Sequence, residues 1–110
     1  MPLESSIVSG IMKAVKALGC DVEKTHGGQY GTAGRADLYV LVPTEFSQYP
    51  VPLYIECKQP GKHMTPLQIA WANKKRRVGA LVMEAHDVDE VINVINDILS
   101  GRPDVLAGRL

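Results

Sequence analysis

The sequence holds only two cysteines, Cys20 and Cys57, among 110 residues. Two are too few for a disulfide framework, and nothing about them points to an oxidising compartment. Long apolar runs are missing as well. The longest, around Leu38 to Pro43, falls far short of the roughly 18 residues that a membrane span needs. No basic-apolar-small leader opens the chain, because Glu4, Ser5, Ser6 and Ser9 break that pattern, so a soluble cytoplasmic protein is expected. There is no internal repeat, low-complexity tract or linker. The expected organisation is one domain over residues 1–101 followed by a tail, 102–110. A chain of this length buries roughly two-thirds of its unfolded surface, enough for one core. Its 45% hydrophobic and 22% charged residues argue against wholesale disorder.

Net charge is also lacking. Twelve basic and twelve acidic residues cancel, which taken alone argues against a nucleic-acid binder. The charges are segregated, however. From Cys57 to Arg77 the chain carries Lys58, Lys62, Lys74, Lys75, Arg76 and Arg77 with no acid among them. From Glu84 to Asp104 it carries Glu84, Asp87, Asp89, Glu90, Asp97 and Asp104 against the single base Arg102. A neutral total can therefore hide one positive face; the plainer reading is a solvated helix end.

Apolar residues at Ile7, Val8, Ile11, Met12, Val15 and Leu18 have helical spacing and predict an amphipathic helix over 4–18, stopped by Gly19. Residues 21–25 alternate and predict an edge strand. Gly27, Gly28, Gly31 and Gly34 predict a loop. Ala36 to Val42 reads as a strand, Pro43 to Pro52 as a polar connection, and Leu53 to Lys58 as a second strand antiparallel to the first. Thr65-Pro66 predicts a helix start, with Gln68 completing a capping box, and that helix runs to about Val78. Ala80 to Glu84 is a strand. A last helix from Asp87 or Val88 buries Val88, Val91, Ile92, Ile95, Ile98 and Leu99 and ends at Gly101. The order α-β-β-β-α-β-α predicts an α/β fold with a mixed sheet flanked by helices.

The most informative residues are Asp37, Glu56 and Lys58. On a strand, Glu56 and Lys58 project from the same face, and an acid and a lysine near the end of an apolar strand are expensive unless paired or bound. If the strands flanking the proline-rich connection are antiparallel neighbours, Asp37 at the start of one meets Glu56 near the end of the other. Two hard oxygen ligands at that distance suit Mg²⁺ or Mn²⁺, and Lys58 beside them could contact a phosphate or an attacking water. That assembly fits metal-assisted phosphodiester hydrolysis. The simpler account is a surface salt bridge between Glu56 and Lys58, with Asp37 capping a turn.

These residues, in this order, resemble the PD-(D/E)XK nuclease fold and, within it, the VRR-NUC (virus-type replication-repair nuclease) domain. The resemblance spans Glu4 to about Val94. It rests on Glu4 in the first helix, Gly27-Gly28, Gly34-Arg35-Ala36-Asp37-Leu38, Ile55-Glu56-Cys57-Lys58 and Thr65-Pro66-Leu67-Gln68. It implies that Asp37 and Glu56 bind the metal, with the backbone carbonyl of Cys57 as a further ligand, that Lys58 is catalytic, and that Glu4 and Gln68 complete the site. Ala36 stands where the fold's name leads one to expect proline; that proline would shape a turn and ligate nothing. The implied activity is a Mg²⁺- or Mn²⁺-dependent endodeoxyribonuclease acting on branched DNA such as Holliday junctions. It is expected to act as a homodimer in a bacterial or phage-infected cell. The alternative is a nucleic-acid-binding module of the same fold that has lost cleavage.

Glu4 also fits by position, lying on the stripe of Val8, Ile11 and Val15, although helix-dipole preference alone would favour an acid there. Likewise, the capping box alone accounts for Gln68. The glycine loop lacks the GxxxxGK[ST] pattern, so a nucleotide cradle is not expected. His26, His63 and His86 lack zinc spacing with Cys20 or Cys57. Trp71 is read as core alongside Leu67, Ala70 and Val78. Arg35, Lys62, Lys74, Lys75, Arg76 and Arg77 are the expected DNA-phosphate contacts.

Overall fold

The computed structural model describes residues 3–25 and 34–101. His26, Gln29, Tyr30 and most of the expected glycine loop (Gly27, Gly28 and Gly31) lie outside the described residues, as does the tail with Val105, Leu106 and Leu110.

Seven elements follow one another: α1 (Glu4–Ala17), β1 (Asp21–Lys24), β2 (Leu38–Thr44), β3 (Ser47–Cys57), α2 (Pro66–Arg77), β4 (Leu81–Ala85) and α3 (Val88–Leu99). The four strands form one sheet in the order β1-β2-β3-β4. The first two pairings are antiparallel, and β3 pairs with β4 in parallel across the α2 crossover. This is the expected α-β-β-β-α-β-α order.

Strand alternation decides which helix covers which face. Leu53, Ile55 and Cys57 of β3, with Met83 and Ala85 of β4, pack against Ile7, Val8, Ile11 and Val15 of α1 and Val91, Val94, Ile95 and Ile98 of α3. On the opposite face, Tyr54 and Val82 meet Trp71 and Ala72 of α2, together with Ala36 and Met64. Each fully buried aliphatic side chain contributes roughly 1.5–3 kcal/mol, so the four buried positions on each of α1 and α3 are ample to dock those helices. The α2 face is the thinner one. Trp71 is buried as expected, but Leu67, Ala70 and Val78 are not its partners: all three are exposed, because a helix that buries only Trp71 and Ala72 contacts the sheet along a narrow line.

The expected connection over residues 43–52 is not a loop. Strand β3 begins at Ser47, and β2 and β3 form a long hairpin turning at Glu45-Phe46, with Leu41 opposite Pro52 and Thr44 opposite Ser47. Prolines concealed the strand because they cannot donate to a ladder. Among the described residues β4 joins β3 only from Leu53 onward and no strand pairs with that edge at Pro50 and Pro52, so a missing N–H costs nothing there.

Candidate functional site

Backbone register assembles the acids. Leu38 pairs with Ile55, so Asp37, one residue earlier, falls opposite Glu56 and on its face of the sheet. The Asp37 carboxylate is fixed there: its Oδ2 accepts the Cys57 N–H at 2.8 Å. Glu56 follows Tyr54 on the α2 face but lies past the cover of Trp71, at the strand end, and is only 2% exposed. Helix α1 begins at Glu4, and carboxylate oxygens of Glu4, Asp37 and Glu56 lie within 4.8 Å of one another. Lys58 Nζ stands 3.7 Å from Glu56 Oε1.

Three acids against one lysine leave this cluster electron-rich. Burial, reinforced by the Asp37 charge and opposed by Lys58, pushes the Glu56 carboxyl up to about 8. Among the described residues no donor group faces Glu56 Oε2, which is buried and has only the Asp37 carboxylate to share a proton with. A buried oxygen left without a donor costs about 1–3 kcal/mol, and more when charged. The donors are all hard oxygens, so the group suits a Mg²⁺- or Mn²⁺-type cation, which would relieve both defects. The Cys57 thiol faces the other way, into the α1/α3 core, where burial raises its pKa.

Gln68 makes hydrogen bonds in two directions. Its Oε1 accepts the Thr65 N–H at 2.9 Å while the Thr65 hydroxyl accepts the Gln68 N–H, closing the capping box. Its Nε2 donates to Glu56 Oε1 at 3.1 Å. The helix cap and the contact to Glu56 therefore use the two ends of one amide. Gly34 brings the Asp37 segment to this helix start: at φ +79°, a Cβ on it would sit 2.6 Å from the Leu67 carbonyl.

The basic residues divide. Arg35, Lys62, Lys74 and Arg77 are exposed. Lys75 Nζ lies 5.4 Å from the centre of the Trp71 ring. Arg76 is turned inward, donating to the Val82 carbonyl at 3.0 Å and to Asn73 Oδ1 at 3.1 Å. At a rise of about 1.5 Å per residue, Lys74 to Arg77 lie about 9–14 Å along the helix from Gln68, well away from the acids.

A second group was missed. His63, Glu84 and His86 each offer a ligand atom within 4.8 Å of the others. Histidine–cysteine spacing carries no sign of it, since its third member is Glu84. The signal lay in Glu84-x-His86, whose spacing on a strand favours one face; His63 arrives only through the chain fold.

No family model matches the chain, and neither does any curated protein sequence. Among solved structures, one described as a VRR_NUC domain superimposes with a TM-score of 0.69 at 24% identity, covering 84% of this chain and 94% of that one. The element order, the mixed sheet and this superposition agree: the chain has the fold of a VRR_NUC domain.

Proposed function

We propose that this protein is a divalent-metal-dependent nuclease hydrolysing phosphodiester bonds in DNA, with branched DNA such as a Holliday junction as substrate. The observation that carries the reading is Glu56: a nearly inaccessible carboxylate with one oxygen that no donor group faces among the described residues, gathered with Asp37 and Glu4 and flanked by a lysine. In this reading Asp37 and Glu56 hold Mg²⁺ or Mn²⁺, with the Cys57 carbonyl as a further ligand and Glu4 nearby. Bound there, such an ion neutralises phosphate charge and strengthens water as a nucleophile at neutral pH. Lys58 contacts the scissile phosphate and stabilises the charge that grows on it. Gln68 keeps Glu56 in one rotamer.

Arg35, Lys62, Lys74, Lys75 and Arg77 bind the flanking backbone phosphates, and the distance from the acids to the end of α2 suits phosphates beyond the one attacked. Arg76, bound to Val82, ties α2 to β4 instead. So small a domain recognises DNA by shape, and two copies on one junction supply two cuts. Phe46 and Tyr49, 69% and 71% exposed near the hairpin tip, are apolar surface that a second copy could cover.

The test is cleavage of a labelled four-way junction, a flap and a plain duplex with Mg²⁺ or Mn²⁺, with Lys58→Ala and Glu56→Gln as controls. Metal-dependent cleavage of the junction, lost in both variants, is expected. Binding with no cleavage of any substrate by the unaltered chain would favour the inactive binding module.

A further inference from the structure

Beside the acid cluster, on the same face of the sheet, stands a group of different chemistry. Glu84 is the register partner of Glu56 in the parallel β3–β4 ladder. Its Oε2 lies 2.8 Å from His63 Nδ1 and 3.1 Å from His86 Nε2, while its Oε1 accepts the Met64 N–H. His86 Nε2 is also 2.8 Å from the Lys62 carbonyl oxygen. The other nitrogen of that ring, Nδ1, lies 3.2 and 3.3 Å from the two Glu90 oxygens.

His86 is thus surrounded by acceptors. A neutral imidazole has one N–H: on Nδ1 it leaves the Nε2 lone pair facing two oxygen atoms, and on Nε2 it leaves the Nδ1 lone pair facing the Glu90 carboxylate. Either tautomer therefore sets one lone pair against oxygen, and a ring with Nδ1–H toward Glu90 and a second proton or a metal ion at Nε2 satisfies both sides. His63 Nδ1 converges on the same Glu84 oxygen, so two imidazole nitrogens and one carboxylate oxygen lie within 4.8 Å of one another.

We propose that His63, Glu84 and His86 bind a divalent transition-metal ion of the Zn²⁺ class, separate from the hard-cation site at Asp37 and Glu56 and independent of the nuclease reading. Imidazole donors suit Zn²⁺ and its neighbours rather than Mg²⁺. The separations from Glu84 Oε2 come within about half an ångström of the roughly 3.3 Å edge of a tetrahedron with 2.0–2.1 Å metal–ligand bonds. The supporting contacts are in place, Glu90 behind His86 and the Met64 N–H behind Glu84, as ligands of a bound metal usually have. An ion reaches the site from the His63 side, where the side chain is 74% exposed, and leaves a fourth position for water. Binding ties the loop from β3 to α2, which carries Lys62 and His63, to the end of β4.

The test is calorimetric titration of the chelator-treated chain with Zn²⁺, in the wild type and in Asp37→Asn, with Co²⁺ absorption as a second readout. One Zn²⁺ per chain is expected to survive Asp37→Asn and to resist excess Mg²⁺. His63→Ala, at a position whose side chain is 74% exposed, should weaken it at least tenfold and abolish the visible bands of four-coordinate Co²⁺. Glu90→Gln should weaken it about tenfold. Absence of Zn²⁺ binding in Asp37→Asn, or affinity changed less than tenfold by His63→Ala, overturns the site and leaves His86 holding a second proton.

Discussion

Glu56 and Glu84 face each other across the parallel β3–β4 ladder, so two carboxylates emerge from neighbouring strands on the same side of the sheet. Their surroundings separate them. Glu56 is buried among acids and its carboxyl is driven up to about 8. Partial burial pushes the Glu84 carboxyl up, but the hydrogen bonds from His63 and Met64 and the charges of His63 and His86 together hold it below the usual carboxylate range.

The first prediction concerns pH in the presence of chelator. A carboxyl whose pKa is raised on folding binds more protons folded than unfolded, so stability is greatest below its unfolded value and falls as pH rises through about 8. His86, also raised, adds to that fall above its ordinary 6.5, whereas Glu84, lowered, removes stability only on the acid side of 4.5. Urea denaturation should therefore show stability declining from pH 6 to 8. Glu56→Gln should flatten much of the slope, leave the variant more stable than wild type at pH 8.5, and abolish stabilisation by Mn²⁺. Equal slopes in the two proteins would contradict this account of Glu56.

Gln68 predicts a separation of stability from site function. Thr65→Ala removes the cap and should cost about 1 kcal/mol in urea denaturation with little change in Mn²⁺ affinity. Gln68→Ala should cost a similar amount and also weaken Mn²⁺ binding several-fold, because Glu56 loses the amide that orients it. Identical Mn²⁺ affinities in the two variants would assign Gln68 to capping alone.

Two glycines of similar φ provide an internal control for backbone packing. Gly61, at φ +82°, has open space where a Cβ would go, so Gly61→Ala should cost about 1 kcal/mol, the conformational penalty alone. Gly34→Ala adds a collision with the Leu67 carbonyl and should cost at least about 2 kcal/mol more, displacing the Asp37 segment from the start of α2. Denaturation midpoints of the pair measure the difference directly.

For the basic helix end, Lys74→Ala and Arg77→Ala should leave stability within about 0.5 kcal/mol, since both side chains are exposed. Each should lower the slope of log affinity for DNA against log salt by about one. Arg76→Ala should instead destabilise the fold by about 1–3 kcal/mol, leaving the Val82 carbonyl without its donor. Denaturation and salt-dependent binding on the same three proteins distinguish the roles.

Much was legible from local spacing. Ile7, Val8, Ile11 and Val15 mark one helical stripe, Thr65-Pro66 marks a helix start, and alternation assigns Glu56 and Lys58 to one face of a strand. Such features depend on neighbours within a few residues, so the order of elements and the meeting of Asp37 with Glu56 could be read in advance. Tertiary structure alone decided that β3 reaches back to Ser47 past two prolines, which are harmless because no described strand pairs with that edge there. It also decided that Trp71 meets Tyr54 and Val82 rather than Leu67 or Val78, and that His63 arrives beside Glu84 and His86. Those outcomes depend on pairing between segments distant along the chain, and local periodicity holds no record of which distant residues share a face.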